Sequence, residues 1–401
     1  VYKRQVDMYD VSCGLNPSLQ YQIDSNFLPD GWRSYMARAV KNKFKKPVIN
    51  AGNYRDPKVV EKVLESGDVD IVGMGRGLIA EPNWVKKVEN GEEDLLRKCI
   101  SCNVGCAGNR IGVNRPIRCT VNPAVPEGDV YKALKVNKNC NVVVVGAGTA
   151  GMEAACTAAE VGCNVFVLEK NDHIGGLSTF ISDLPSKSRM KDFPKYLEAR
   201  AARLKNLYIF LNTEATVDKI KQFKPDIIVN STGSVPLVPP IKGMDGEQVV
   251  VVNELYRNLD KISDKVVVMG GGLAGCECAI SLGMEGKEVQ LVEMRDALAP
   301  DANVRHRPLL LKEIEKQVKA VHTGYRAEEI TPEGVWCTDA NGERHLVEGT
   351  TVICALGQRA RTDVVEQLRN TAPFVRVIGD ARRVSTITNA VYQGYHAALD
   401  I

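Results

Sequence analysis

The sequence predicts an α/β protein made of three successive parts, and three observations predict it. Strand-like runs alternate with helical runs over residues 6–98. A Cys/Asn/Pro-rich segment fills 99–137. One Gly-rich strand–turn–helix–strand unit occurs twice, at 141–170 and 265–294. Alternation of this kind implies parallel sheets with functional loops at the carboxyl ends of the strands. A chain of 401 residues is long enough for two or three domains, and 44% hydrophobic with 25% charged content is ordinary for a globular protein. The net charge of +3 is too small to argue for nucleic acid or an anionic membrane. No run approaches the roughly 20 apolar residues of a membrane span, and no apolar secretory segment opens the chain. Twelve cysteines in a chain of this size read as metal ligands plus buried thiols in a reducing compartment, so a cytoplasmic protein is expected. The opening pentapeptide, Val1–Gln5, matches one reading frame of a common sequencing-library transposon end. It is read as foreign, with a native fragment starting at Val6 and some of the protein missing upstream.

Within residues 6–98, "VDMYDVS" is a short strand and "GWRSYMARAVKNKF" has helical periodicity. "KPVINAGN" is a strand ending in a Gly turn. "DPKVVEKVLESG" is a helix with Asp at its start and Gly past its end, as capping requires. "VDIVGMGRGLIAEP" is a buried strand running into a Gly-rich loop, followed by the helix "NWVKKVENG". Three strands do not close a barrel by themselves.

The first duplicated unit carries Gly146-x-Gly148-x-x-Gly151 directly after "NVVVV". Gly146 permits the tight turn, Gly148 lets backbone approach a pyrophosphate, and Gly151 lets helix pack on strand. Glu169 ends the second strand, where a carboxylate accepts ribose hydroxyls. A purely structural turn is the competing reading. The second unit repeats this with Gly270-x-Gly272-x-x-Gly275 and Glu293. An acidic residue there favours NADH by repelling a 2′-phosphate, while Arg295, two residues on, leaves NADPH open as the less favoured choice. Two signals assign FAD to the first copy: "HIGG", with Gly176 close to an extended dinucleotide, and "RVIGDAR", with Asp380 suited to ribityl hydroxyls. Asp380 lies beyond the second copy. The FAD domain is therefore expected at 138–258 and 359–401, with an NAD(P) domain inserted at 259–358. "VNSTGS" (229–234) and "ICALGQ" (353–358) read as the strands that close the two domains.

Residues 141–401 resemble the two-dinucleotide flavoprotein fold of glutathione and thioredoxin reductases. Those enzymes use a redox-active disulfide. No Cys pair follows "HIGG" here, and Cys276 and Cys278 read as buried helix thiols, so electrons must leave the FAD another way. The segment "CISCNVGC…RCTVNP" supplies Cys99, Cys102, Cys106 and Cys119. Four thiols suit Zn2+ or an iron–sulfur cluster. Structural zinc uses two separated knuckles, whereas a compressed triplet plus one distant ligand suits a 4Fe-4S cluster; zinc and unrelated buried thiols remain alternatives.

That cysteine segment beside β/α units resembles a specific family, over essentially the whole chain from Val6: 2,4-dienoyl-CoA reductase, trimethylamine dehydrogenase, clostridial enoate reductases and the bile-acid-inducible NADH:flavin oxidoreductases. The resemblance implies the C-terminal part of an Old Yellow Enzyme-like TIM barrel at 6–98, followed by a two-dinucleotide-binding (FAD/NAD, Rossmann-like) flavoprotein module. It implies FMN in the barrel. Gly52 and Asn53 would offer the phosphate backbone N–H groups, and Gly75 and Arg76 a backbone N–H and a guanidinium. An ordinary surface salt bridge is the competing reading of Arg76.

Two departures stand out. The family's catalytic Tyr would lie upstream of Val6. The catalytic His that dienoyl-CoA reductases carry after the strand here reading "YDVSCG" is absent, since "LNPSLQYQ" follows. All five histidines (His173, His306, His322, His345, His396) lie in the flavoprotein half. Tyr21 is a weak candidate proton donor. The resemblance implies NADH-driven reduction of a small unsaturated substrate, with neither nucleic acid nor membrane as partner and no indication of oligomeric state. An electron-transfer flavoprotein serving a partner, or an amine dehydrogenase running oxidatively, are the alternatives.

Overall fold

A computed structural model describes residues 6–131, 134–136 and 139–401. The reading of Val1–Gln5 lies outside them. Tyr9–Val11, Val48–Asn50 and Ile71–Val72 form a three-stranded parallel sheet. The intervening helices, Ser34–Phe44 and Pro57–Glu65, close its core through Ala37 and Val63, together with Tyr54 from the loop before the second. The second starts as the sequence predicts: the Asp56 carboxylate caps it by accepting the Lys58 N–H at 3.0 Å.

The first duplicated unit lies at the centre of a five-stranded parallel sheet. Its spatial order is Phe374–Val377, Ile227–Asn230, Asn141–Val145, Asn164–Leu168, Leu207–Phe210. Val142, Val143 and Val144 are fully buried, because helices cover both faces of a central parallel strand. The second unit builds a matching sheet: Ala320–Thr323, Glu288–Glu293, Lys265–Met269, Thr351–Cys354, Val249–Val251. Its edge strand comes from ahead of residue 259. An antiparallel hairpin layer, Arg326–Thr331, Gly334–Thr338 and Arg344–Glu348, covers one face through Val335 and Val347. The chain thus leaves the first sheet, builds the second, and returns to the first at Phe374–Val377. The helix Ile387–Leu399 then packs on Thr149–Val161.

The cysteine segment is more ordered than a loop. Val104–Gly112 form wide π-helical turns, and Ser101 and Asn103 hold left-handed backbone with φ of 54° and 58°. This segment sits between the small sheet and the first large one. One side chain ties the three together. The Arg55 guanidinium donates to Asp30 at 2.9 Å, to Asp192 at 2.5 Å and to the Cys99 carbonyl at 3.2 Å. Arg189 binds the same Asp30 at 2.7 Å from the flavoprotein side. Removing one member of such a part-buried network strands the others. Arg55→Met is therefore expected to cost about 2–4 kcal/mol. It should lower the first thermal unfolding transition, and an unchanged melt would show that the bridge is not structural.

Candidate functional site

Cys99, Cys102, Cys106 and Cys119 line one small cavity with Ile79, Ile100, Gly105 and Val121. No disulfide joins any of the described cysteines. Burial pushes Cys102 and Cys106 up and Cys119 up to about 12, with Cys99 adding to the last. The Ser101 N–H donates to Cys99 Sγ at 3.4 Å, and Cys102 Sγ meets Thr120 Oγ1 at 3.1 Å. No three of the four sulfurs lie within 4.8 Å of one another. A single tetrahedral ion with Zn–S bonds of about 2.3 Å would hold its sulfurs closer together than that. The donor set therefore fits a polynuclear group better than one ion.

Next to this cavity opens a cleft of about 290 Å³. Gly52 and Asn53 of "NAGNYRDP" and Gly75 and Arg76 of "GMGRGLIAEP" all line it. Among the described residues, nothing accepts from the N–H groups of Gly52, Asn53 or Gly75. A Cβ added at Gly75 would meet nothing within 4 Å, so its face is open. Arg33, Arg55 and Arg76 bring three guanidiniums to the wall, and Asp24 brings one buried carboxylate. Asp24 binds Arg33 at 2.6 Å, Arg76 at 3.5 Å and the Trp32 indole at 2.9 Å. Free N–H groups beside the Arg33 and Arg76 guanidiniums suit an anion such as a phosphate. The competing surface reading of Arg76 does not hold: its guanidinium is mostly buried and also donates to Asn103 Oδ1 at 2.7 Å. Arg76, Ile79 and Cys99 belong to both cavities, so one wall separates them.

Tyr21 adjoins the cleft, and its carbonyl accepts from Arg33 of the cleft wall. Its ring packs against Trp32 with centroids 6.2 Å apart, and the cleft begins at its neighbour Gln22. Sequence reasoning passed over Asp24, Asp30, Arg33 and Arg55. Arg55 stood in the very loop "NAGNYRDP", two residues beyond Asn53, and the paired charges of "LPDGWR" were a signal for Asp30 and Arg33.

The two nucleotide turns share one geometry. Gly146 and Gly270 have φ of 98° and 106°, and a Cβ on either would strike a backbone oxygen of the neighbouring strand, at Ser231 or Ala355. Cβ atoms at Gly151 and Gly275 would lie 2.0 and 1.8 Å from the carbonyls of Gly146 and Gly270. Nothing would meet a Cβ at Gly148 or Gly272, so both turns present bare backbone. Glu169 accepts the Ala147 N–H at 2.7 Å; Glu293 accepts the Gly271 N–H at 2.6 Å. Each carboxylate fixes its own turn. Arg295 is held by Glu293 at 3.4 Å and Asp301 at 3.3 Å. Gly176 has φ 54°, and its neighbour Gly175 bridges to Gly148, which lays the "HIGG" chain along the first turn. Asp380 accepts from Ser234 Oγ at 3.2 Å and the Ser385 N–H at 3.0 Å, and burial raises its pKa. The adjacent Gly379 stands against Ala150 at the start of the first turn's helix. Cys276 and Cys278 are fully buried in the helix Leu273–Met284, as expected.

Two glycine turns on parallel sheets, with a guanidinium-lined cleft before them, define the class of dinucleotide-binding α/β proteins. Comparison with known proteins narrows this. Residues 21–94 match the NADH:flavin oxidoreductase / NADH oxidase family, 141–192 the FAD dependent oxidoreductases, and 195–394 the pyridine nucleotide-disulphide oxidoreductases. The chain is 37% identical over 404 residues to NADH oxidase of Thermoanaerobacter brockii, covering 99% of this chain and 62% of that protein. It is 33% identical to cinnamate reductase of Clostridium sporogenes, covering 88% of this chain and 53% of that one. A solved complex of 2-naphthoyl-CoA reductase superposes with a TM-score of 0.92 at 30% identity, over 99% of this chain and 60% of the other. The chain belongs to the NADH:flavin oxidoreductase family that joins barrel and flavoprotein modules, and it spans about three-fifths of the length of these relatives. Among the described residues no helix is long and apolar enough to cross a membrane.

The two turns can be separated by substitution. Gly275→Ala is expected to slow reduction by NADH about 100-fold while dithionite still reduces the bound flavin, because an ångström of misplacement costs that much. Gly151→Ala should instead release flavin. Equal loss of flavin in both variants would contradict the assignment of separate nucleotides to the two turns.

Proposed function

We propose that this chain serves an NADH-dependent iron–sulfur flavoenzyme that reduces an activated C=C bond of an enoate, enone or enoyl thioester. The observation that carries the proposal is the shared wall: Cys99, Arg76 and Ile79 line both the anion-binding cleft and the four-thiol cavity. When bound, FAD, FMN and a 4Fe-4S cluster would supply hydride exchange and single-electron transfer. The residues of the chain do the holding. Gly146, Gly148, Gly151, Glu169, Gly176 and Asp380 would seat FAD. Gly270, Gly272, Gly275 and Glu293 would seat the nicotinamide nucleotide, with the carboxylate of Glu293 favouring NADH over NADPH by charge. Gly52, Asn53, Gly75 and Arg76 would hold the FMN phosphate. Cys99, Cys102, Cys106 and Cys119 would hold the cluster in the small cavity that they line. The names cinnamate reductase and 2-naphthoyl-CoA reductase support an unsaturated acid or thioester as substrate. A cytoplasmic site of action is part of this reading. Amine oxidation in the reverse direction has weaker support, from a 29% identical N,N-dimethylglycine/sarcosine dehydrogenase.

The name NADH oxidase, on the 37% identical relative, favours a second reading, in which electrons pass from NADH to a soluble acceptor without organic chemistry. One experiment separates the two. The protein is reduced anaerobically with NADH while its visible spectrum is followed, and cinnamate is then added. Flavin bands and a broad iron–sulfur shoulder that bleach together and return with cinnamate are expected. Bleaching that only oxygen or a dye reverses would favour the second reading. Zinc in place of iron in metal analysis would overturn the cluster.

A further inference from the structure

Arg305 has no assigned task. It sits in the turn before the helix Arg307–Gln317 of the second nucleotide unit, at 1% exposure. Its Nε and both terminal nitrogens are buried and find no hydrogen-bond partner. An arginine stays charged in a protein, and an unpaired buried charge is expensive, so such a group calls for a counter-charge.

The turn that carries Arg305 is docked on the cysteine segment. Asn303 Nδ2 donates to the Asn103 carbonyl at 3.0 Å, and its Oδ1 accepts the Arg305 N–H at 2.9 Å. A Cβ at Gly108 would lie 3.0 Å from Asn303 Nδ2, so only glycine lets the two segments meet this closely. The next residue, His306, stacks on Phe27 with centroids 4.9 Å apart and faces Glu277 at 3.3 Å. Glu277 is in turn bound by Lys187 at 2.7 Å. Glu277, which faces this turn through His306, is therefore already paired with Lys187. Burial lowers the pKa of Arg305, and the opposing influence on it is Cys106.

We propose that Arg305 is the built-in counter-charge of the anionic group held by Cys99, Cys102, Cys106 and Cys119, and that it raises that group's reduction potential. The inference rests on the iron–sulfur reading of the four thiols. Each electron taken from NADH adds one negative charge to a buried site. A fixed cation beside the site stabilises the reduced form over the oxidised one, and low local dielectric makes the effect large. Because Arg305 belongs to the second nucleotide unit, the part of the chain that receives NADH also adjusts the electron carrier.

The test is an EPR-monitored redox titration of the full chain, reconstituted anaerobically with iron and sulfide, for wild type, Arg305→Lys, Arg305→Gln and Arg305→Met. Loss of the charge in the Gln and Met variants should shift the reduced-to-oxidised ratio at fixed potential about tenfold. That is a midpoint lowered by about 59 mV for one electron. The Lys variant should stay close to wild type. Gln and Met variants that lose iron while Lys retains it would also support the pairing. Equal midpoints for all four proteins, or loss of iron from all three variants, would overturn it in favour of a packing role. Wild-type protein that takes up zinc and no iron would instead defeat the iron–sulfur reading itself, which metal and labile-sulfide analysis reports separately.

Discussion

Arg55 is the constraint on which the rest of the arrangement depends. A guanidinium presents several N–H donors in a rigid plane, so one side chain can satisfy acceptors on three different elements. Here they are Asp30 of the β/α part, Asp192 of the flavoprotein part and the carbonyl of Cys99 between them. Its own carbonyl accepts the Trp84 indole N–H at 3.1 Å, which anchors the hub in the small core. Lysine would supply the charge and lose the geometry. Cys99 is held through its backbone by Arg55, and its side chain lines the cavity.

The same economy governs the wall between the two cavities. Asp24 is buried, and it is tolerable there because Arg33, Arg76 and Trp32 bind it. Asn103 continues the network: it donates to the carbonyls of Ile23 and Asp24 and accepts from Arg76. The cysteine segment is thereby hydrogen-bonded to the floor of the anion cleft.

In the two nucleotide units, duplication has preserved an interaction as well as a pattern. Each terminal glutamate accepts an N–H from its own glycine turn, in bonds of 2.7 and 2.6 Å. A carboxylate bound this way orients the turn before any nucleotide arrives, which lowers the ordering cost of binding. The surroundings then differ. Asp380 and the "HIGG" chain converge on the first turn. Arg295 and the docked segment Asn303–His306 adjoin the second.

What the sequence determined by itself was everything carried by short-range pattern. Both glycine turns, the strands beneath them, the capped helix at Asp56 and the four clustered thiols follow from residue type and spacing. The inserted order of the nucleotide units followed as well, since Asp380 needed a strand beyond the second copy. Only the tertiary structure decided what the charges do. Arg55 and Asp192 are distant in sequence, as are Arg305 and Cys106, and no periodicity links such pairs. Nor did any motif show that the Tyr21 ring packs against Trp32 while its carbonyl accepts from Arg33. A local motif states which backbone shape a segment can adopt. Which buried charge meets which partner depends on how separate elements pack, and that packing is settled by the whole fold.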